Sequence, residues 1–133
     1  MLRLRCEVFV VEQAYGYQDL DNYDQDSHHV IGLEDKESTE VLCCARIVAP
    51  GIKYVGASIG RIVTDASIRG SERGKELVLV AIDAYKTLYP RHPITISAQQ
   101  HLENFYSGLG FETLSTPYQV DGIPHIEMTL IKP

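Results

Sequence analysis

No stretch of this chain approaches the roughly 20 consecutive apolar residues that a membrane-spanning helix requires. The opening Met1-Leu2-Arg3-Leu4-Arg5 runs into mixed sequence, not into the apolar core of a secretory leader. Cysteine is scarce too. Cys6, Cys43 and Cys44 are an odd number, and neighbours at 43 and 44 would point to opposite faces of a strand, so no disulfide framework is implied. This composition reads as an unexported protein of the reducing cytoplasm. Positive charge is short as well: 12 Lys and Arg face 18 Asp and Glu, a net charge of -6. That balance argues against broad binding of nucleic acid or an anionic membrane, both of which draw on a basic surface. No internal repeat, linker or low-complexity tract interrupts the 133 residues. They form one expected domain, 1–133, able to bury about two-thirds of its unfolded surface.

What charge there is lies unevenly. Residues 1–40 hold ten acidic side chains against three basic ones, whereas residues 61–75 hold Arg61, Arg69, Arg73 and Lys75 against Asp65 and Glu72. One end suits a cation and one short stretch an anion. Leu4, Val8 and Val11 are spaced as on a helix, but Val8-Phe9-Val10-Val11 is equally a buried strand, and periodicity does not choose. Residues 15–27, rich in Asp, Tyr, Gln and Asn, read as an exposed loop. β-prone runs over His29 to Leu33 and Val41 to Val48 around polar 34–40 predict a hairpin, and 57–64 a third strand. Leu77, Val80, Ala81, Ala84 and Leu88, with Ile82 and Tyr85 widening the stripe, predict a helix that Pro90 and Pro93 stop. Residues 94–98 read as a strand, 102–109 as a short helix, and 111–118 with 126–131 as a closing pair around Asp121-Gly122. Strand, helix, strand, helix, strand predicts an α/β (α+β) domain with a central mixed sheet covered by helices.

A strand entering Arg69-Gly70-Ser71-Glu72-Arg73-Gly74-Lys75 and then an amphipathic helix is a recurrent way to hold phosphate. Glycines let the backbone approach closely, unpaired N–H groups of the first turn point at the anion, and the helix dipole adds favourable field. Arg69, Arg73 and Lys75 add charge-assisted bonds. An ordinary helix start, with Ser71 as N-cap and solvated basic residues, is the competing account. The run is neither a Walker loop nor a dinucleotide fingerprint, because the lysine context and glycine spacing differ.

With Ile59-Gly60-Arg61-Ile62-Val63 ahead of it, this stretch resembles the acetyl-CoA-binding motif Arg/Gln-x-x-Gly-x-Gly/Ala of the GNAT superfamily. Arg69 and Gly74 match its ends, while Glu72 stands where its first glycine belongs. The same departure marks the ElaA-like branch. Other segments also resemble that branch: residues 4–13, Tyr17-Gln18-Asp19-Leu20-Asp21, Ala98-Gln99 with His101-Leu102, Asn104-Phe105-Tyr106 with Gly110-Phe111, and Gly122-Ile123-Pro124-His125 with Met128. Against that pattern the chain looks short at its N-terminus. The resemblance implies a GNAT-type sheet, mixed and mostly antiparallel. It also implies acetyl-CoA held between parallel strands ending near Thr64 and Ala98, by residues 62–64, the loop 69–75, Gln99, Asn104 and Tyr106. Backbone N–H groups near Ile62 and Val63 would polarise the thioester carbonyl. A non-catalytic acyl-CoA or nucleotide-sensing module on the same fold is the rival.

The same resemblance implies that Tyr106 protonates the departing coenzyme A thiolate, a role open to a phenol with a pKa near ~10. A core tyrosine with a backbone partner is the plain alternative. Transfer to an amine also needs a base. Glu12 leads, because a place at the edge of the core would raise its pKa; His29 and His125 are alternatives, since imidazole titrates near neutrality. Asp19, Asp21, Asp24 and Asp26 with His28 and His29 fail the EF-hand pattern at Tyr23, Asp24 and Val30, so no metal is expected. Asp19 and Asp21 read either as a solvated loop or as attractors of a cationic small-molecule or peptide amine. A homodimer is compatible with the sequence but not read from it. Cys43 and Cys44 read as small core residues.

Overall fold

The computed structural model describes residues 1–13, 19–53 and 57–131. β1 (Ser27–Leu33) and β2 (Val41–Val48) form the expected antiparallel hairpin, and β3 (Ala57–Thr64) pairs antiparallel with β2. From β3 the chain crosses through a 3₁₀ turn at Ala66–Ile68 and α2 (Arg73–Leu88) to β4 (Ile94–Gln99). A strand reached through a helical crossover can lie parallel to the one before it, and β4 does so against β3. A 3₁₀ turn (Gln100–Leu102) and α3 (Glu103–Ser107) follow, then β5 (Glu112–Thr113), β6 (Tyr118–Val120) and β7 (Ile123–Leu130). The sheet order is β1-β2-β3-β4-β7-β5, with β6 also on β7. The sheet is therefore mixed and mostly antiparallel, flanked by helices, as expected. Asp121 and Gly122 both take positive φ and close a two-residue turn, because Val120 pairs directly with Ile123.

The ambiguous N-terminal run is helical: α1 (Leu2–Arg5) widens into a π-helical stretch over Cys6–Glu12. Its valines have strand propensity, but Leu4 and Val8 find Cys44 and Val63 on the sheet, and that contact decides the matter. On the opposite face α2 buries Leu77, Val78, Ala81, Ile82 and Tyr85. This stripe is rotated from the one read in the sequence, since Val80 is 48% exposed and Leu88 37%. Helices on both faces explain why Cys44, Ala45, Arg46, Ile47 and Val48 of β2 are all buried.

One irregularity sets the geometry of everything that follows. Cys44 pairs with Val63, but Arg46 pairs with Gly60, so Arg61 and Ile62 together oppose Ala45 alone. Arg61 sits in this bulge at φ +48. An extra residue inverts the alternation of a strand. Accordingly Ile59 and Ile62, three apart, both pack on the α2 side, and Val63 turns to the α1 side.

Candidate active site

Among the described residues β3 and β4 are paired only at Ala57↔Ile94 and Ser58↔Thr95, and beyond that point they part. The wedge between them is a cleft of about 420 Å³, with residues 59–62 on one wall and 96–99 on the other. Tyr106 of α3 lines it, as do Asp121 and His125 from the β6–β7 hairpin and Phe9 and Gln13 from the N-terminal helical segment. Of the expected cofactor contacts, Ile62, Gln99 and Tyr106 are brought together here. Val63 is buried against α1, and Asn104 is exposed on α3, where its carbonyl accepts the Gly108 N–H.

At the far end of β3 the chain enters the basic loop. The N-cap of α2 is Glu72, not Ser71 as the competing account has it: the Ser71 hydroxyl donates to the Ile68 carbonyl, and no side chain caps the helix. The first-turn N–H groups thus keep their capacity for an anion. Glu72 takes φ +64, so the position where the family motif has glycine does require a left-handed backbone, and the glutamate carries it at a cost. Gly74 has no comparable conformational demand. A Cβ added there would meet nothing nearer than the Thr64 methyl at 3.9 Å. The protein's own packing does not ask for glycine at 74, which leaves room for close approach of a ligand from outside.

Arg69 donates to the Thr64 carbonyl through Nε at 3.2 Å and Nη2 at 3.0 Å, and grips the Glu12 carboxylate in a two-pronged bond. This corrects the expectation for Glu12. The residue is exposed rather than at the edge of the core, and the Arg69 hydrogen bonds hold its carboxyl below the ordinary value instead of raising it. A weak base already bonded to an arginine is poorly suited to take a proton from an amine.

The acidic loop is corrected as well. Its residues 14–18 lie outside the described residues, but Asp19, Asp21 and Asp24 are each engaged by arginines. Asp19 is 3% exposed and receives Arg5 Nε at 3.1 Å. Arg46 forks onto Asp21 at 2.7 and 3.0 Å, and Arg5 reaches Asp24 at 2.7 Å. Arg61 Nη2 donates to the Asp19 carbonyl at 2.9 Å and approaches Asp21 at 3.3 Å; its Nε lies 2.9 Å from Asp19 Oδ1, an ion pair off the line of a hydrogen bond. Three arginines balance three aspartates under the N-terminal segment. Sequence reading missed this cluster, although arginines embedded in apolar runs, Cys-Cys-Ala-Arg46-Ile-Val and Ile-Gly-Arg61-Ile-Val, signal buried partners. Burial alone would raise the Asp21 pKa, but the Arg46 and Tyr23 N–H bonds and the charges of Arg46 and Arg61 outweigh it and hold it at about 2. Against an ordinary value of 3.8, the lowered folded pKa makes this a stabilisation present above pH 4 and lost as pH falls toward 2. Urea melts should lose about 2 kcal/mol between pH 4 and pH 2 from this group, a slope that Asp21→Asn removes at the expense of stability at pH 7.

The two tyrosines of the core differ. Tyr85 is fully buried and its hydroxyl donates to the carbonyls of His92 and Pro93, at 2.7 and 2.6 Å. Tyr106 is 6% exposed, lines the cleft, and its hydroxyl has no partner among the described residues. Desolvation pushes its pKa up to about 12, so it stays protonated across the physiological range. His125 also lines the cleft. Its Nδ1 lies 2.9 Å from the Ile123 carbonyl, which assigns the proton to Nδ1 and leaves Nε2 as an acceptor, and its ring stacks on Tyr118. Tyr118 in turn shares a 2.5 Å hydrogen bond with Ser97. His29 is not part of the cleft: on β1, its Nε2 bonds the Asp24 carbonyl. Among the described residues no group of three or more His, Cys, Asp or Glu could hold a metal ion, and no helix is long and apolar enough to cross a membrane.

The model of the acetyltransferase (GNAT) domain matches residues 6–132, which takes in the splayed strands, the bulge and the uncapped helix. The chain belongs to the GNAT acetyltransferase family. This GNAT domain is 37% identical to protein ElaA of Escherichia coli over 130 residues, 96% of this chain and 83% of ElaA. The crystal structure of E. coli ElaA superposes with a TM-score of 0.87, covering 96% of this chain and 85% of that one. An acyl-CoA N-acyltransferase from Pseudomonas aeruginosa, 37% identical, superposes at 0.89 with the same coverage. A UPF0039 protein of Synechocystis, sll0451, is 40% identical over 128 residues, 96% of this chain and 82% of that protein. The GNAT fold and the ElaA likeness read from the sequence are thereby established.

Proposed function

We propose that this GNAT domain moves an acetyl group from acetyl-CoA to a primary amine of a small molecule or peptide by direct attack. The observation that carries the proposal is the cleft itself: a phenol without a protein partner and an imidazole with an open Nε2 line one wedge between the only parallel strands of the sheet among the described residues. The groups fit the cosubstrate, since the uncapped α2 N-terminus with Gly74 suits a pyrophosphate and the cleft suits a thioester arm. The P. aeruginosa relative, an acyl-CoA N-acyltransferase, supports the same reaction class.

In this reading the Ile62 N–H group at the bulge polarises the thioester carbonyl. The amine nitrogen bonds to the carbonyl carbon and gives its proton to Nε2 of His125, which replaces Glu12 in that role. As the C–S bond breaks, Tyr106 gives its proton to the leaving sulfur. The acceptor enters past Asp121 and His125, where a carboxylate favours a cationic amine. Such chemistry suits a cytoplasmic protein that binds neither nucleic acid nor membrane. The test is thiol release from acetyl-CoA across a panel of alkyl amines, polyamines and lysine peptides, with calorimetry of acetyl-CoA binding beside it. Amine-dependent release is expected; tight binding without release to any amine would favour the sensing module, and no binding would remove both readings.

A further inference from the structure

Arg61 is a non-glycine residue held at φ +48, a conformation that strains an ordinary side chain and persists only where the surroundings impose it. The surroundings here are reached through its side chain. Three contacts of 2.9 to 3.3 Å tie the guanidinium to the carboxylate and carbonyl of Asp19 and the carboxylate of Asp21. Neither aspartate is free to follow it. Asp19 is pinned by Arg5 of α1, and Asp21 is forked by Arg46, whose own backbone pairs with Gly60, the residue before Arg61. The anchor is thus fixed from the helical layer on one side and from the neighbouring strand on the other. A lysine could not do the same, because one ammonium cannot span two aspartates and a carbonyl in a fixed fork.

We propose that Arg61 is a positioning residue: clamped by Asp19 and Asp21, it holds the β3 bulge in its left-handed turn and thereby sets the Ile62 N–H group on the cleft wall. The acidic loop that reads as an acceptor site then acts on the reaction from behind the strand. The inference rests on the proposed transfer for its kinetic consequence only; the bulge geometry stands apart from it.

The experiment compares Arg61→Ala with Arg61→Gly. Both remove the same ion pairs, and Asp19 and Asp21 keep Arg5 and Arg46 in each. They differ in the backbone: alanine resists φ above zero, whereas glycine adopts it freely. Amide shifts and hydrogen exchange of Ile62 and Val63 in ¹⁵N-labelled protein read the bulge directly, without need of turnover. Both amides should move strongly in Arg61→Ala and stay near the parent in Arg61→Gly. With acetyl-CoA and the best amine of the panel, kcat should fall about 10- to 100-fold in Arg61→Ala and recover most of that in Arg61→Gly, with KM for acetyl-CoA changed less than about 2-fold. A merely structural arginine predicts the reverse order, since glycine is the more destabilising residue in a strand. Amides that are unmoved in Arg61→Ala, or equally moved in both variants, overturn the proposal. If Arg61→Ala does not fold, Arg61→Lys decides, since it keeps a side chain but loses the fork: a displaced Ile62 amide supports the clamp and a parent-like one rejects it. Absence of turnover in the parent would sink the transferase reading and leave the amide result to judge the bulge.

Discussion

A Gly74→Glu protein is expected to fold at least as stably as the parent and to lose acetyl-CoA affinity by more than about 100-fold. The stability side follows from the position. Gly74 lies in the first turn of α2, its Cβ site is open, and glycine is a poor helix former. Glutamate there gains about 0.5–1 kcal/mol in propensity and places a negative charge at the favourable end of the helix dipole. The binding side has the opposite sign. A pyrophosphate on the uncapped N–H groups would meet both the new side chain and its charge. Thermal melts and calorimetry on one preparation separate the two effects: a raised or unchanged Tm with lost binding is expected, and intact affinity in a folded variant would move the cofactor site elsewhere. Gly74→Ala, with a methyl group and no charge, should fall between them.

Tyr106→Phe should lower kcat by roughly 10- to 1000-fold while leaving acetyl-CoA affinity and stability nearly as they were. The hydroxyl has no hydrogen-bond partner to lose among the described residues, and the ring contacts with Phe105 and Phe111 are kept, so little stability goes with it. Tyr85→Phe is the matched control: it strips the donor from two carbonyls, at His92 and Pro93, and should cost about 1–3 kcal/mol with kcat unchanged. The pH dependence has a definite sign. Burial raises the Tyr106 pKa to about 12, so the acid form persists well above neutrality and no basic limb from this group is expected below pH 10 in kcat/KM of the parent. Near-full kcat in Tyr106→Phe would show instead that coenzyme A leaves as a thiolate, which its pKa near ~8.5 permits.

The sequence was legible wherever one local signal sufficed. The strand read over 57–64 has the bounds of β3, and the Asp121-Gly122 turn lies where the dipeptide placed it. Tyr106 was found through the Asn104-Phe105-Tyr106 run, and the structure puts it in the cleft. What failed were assignments that depend on distant partners. Glu12 reads as a base at the edge of the core until Arg69, 57 residues away, is seen to hold it at the surface. Asp19 and Asp21 read as bait for a cation because nothing local shows that Arg5, Arg46 and Arg61 converge on them. The change of facing within Ile59-Gly60-Arg61-Ile62-Val63 is hidden for a related reason: both faces of the sheet are covered, so polarity does not mark where the alternation slips.

The Glu12–Arg69 bond has a consequence for how ligand capture responds to the medium. A basic loop standing open to solvent collects small anions, and an arriving polyphosphate releases them, which gives association a steep dependence on ionic strength. Here two of the three basic side chains already hold an anion that the chain itself supplies, Arg69 the Glu12 carboxylate and Arg73 that of Glu76 at 3.2 Å. Capture at Arg69 becomes an exchange of carboxylate for phosphate, with no small ion set free at that position. The slope of log Kd for acetyl-CoA against log salt should therefore be shallower than three cations imply, and Glu12→Gln should steepen it while tightening binding at low salt.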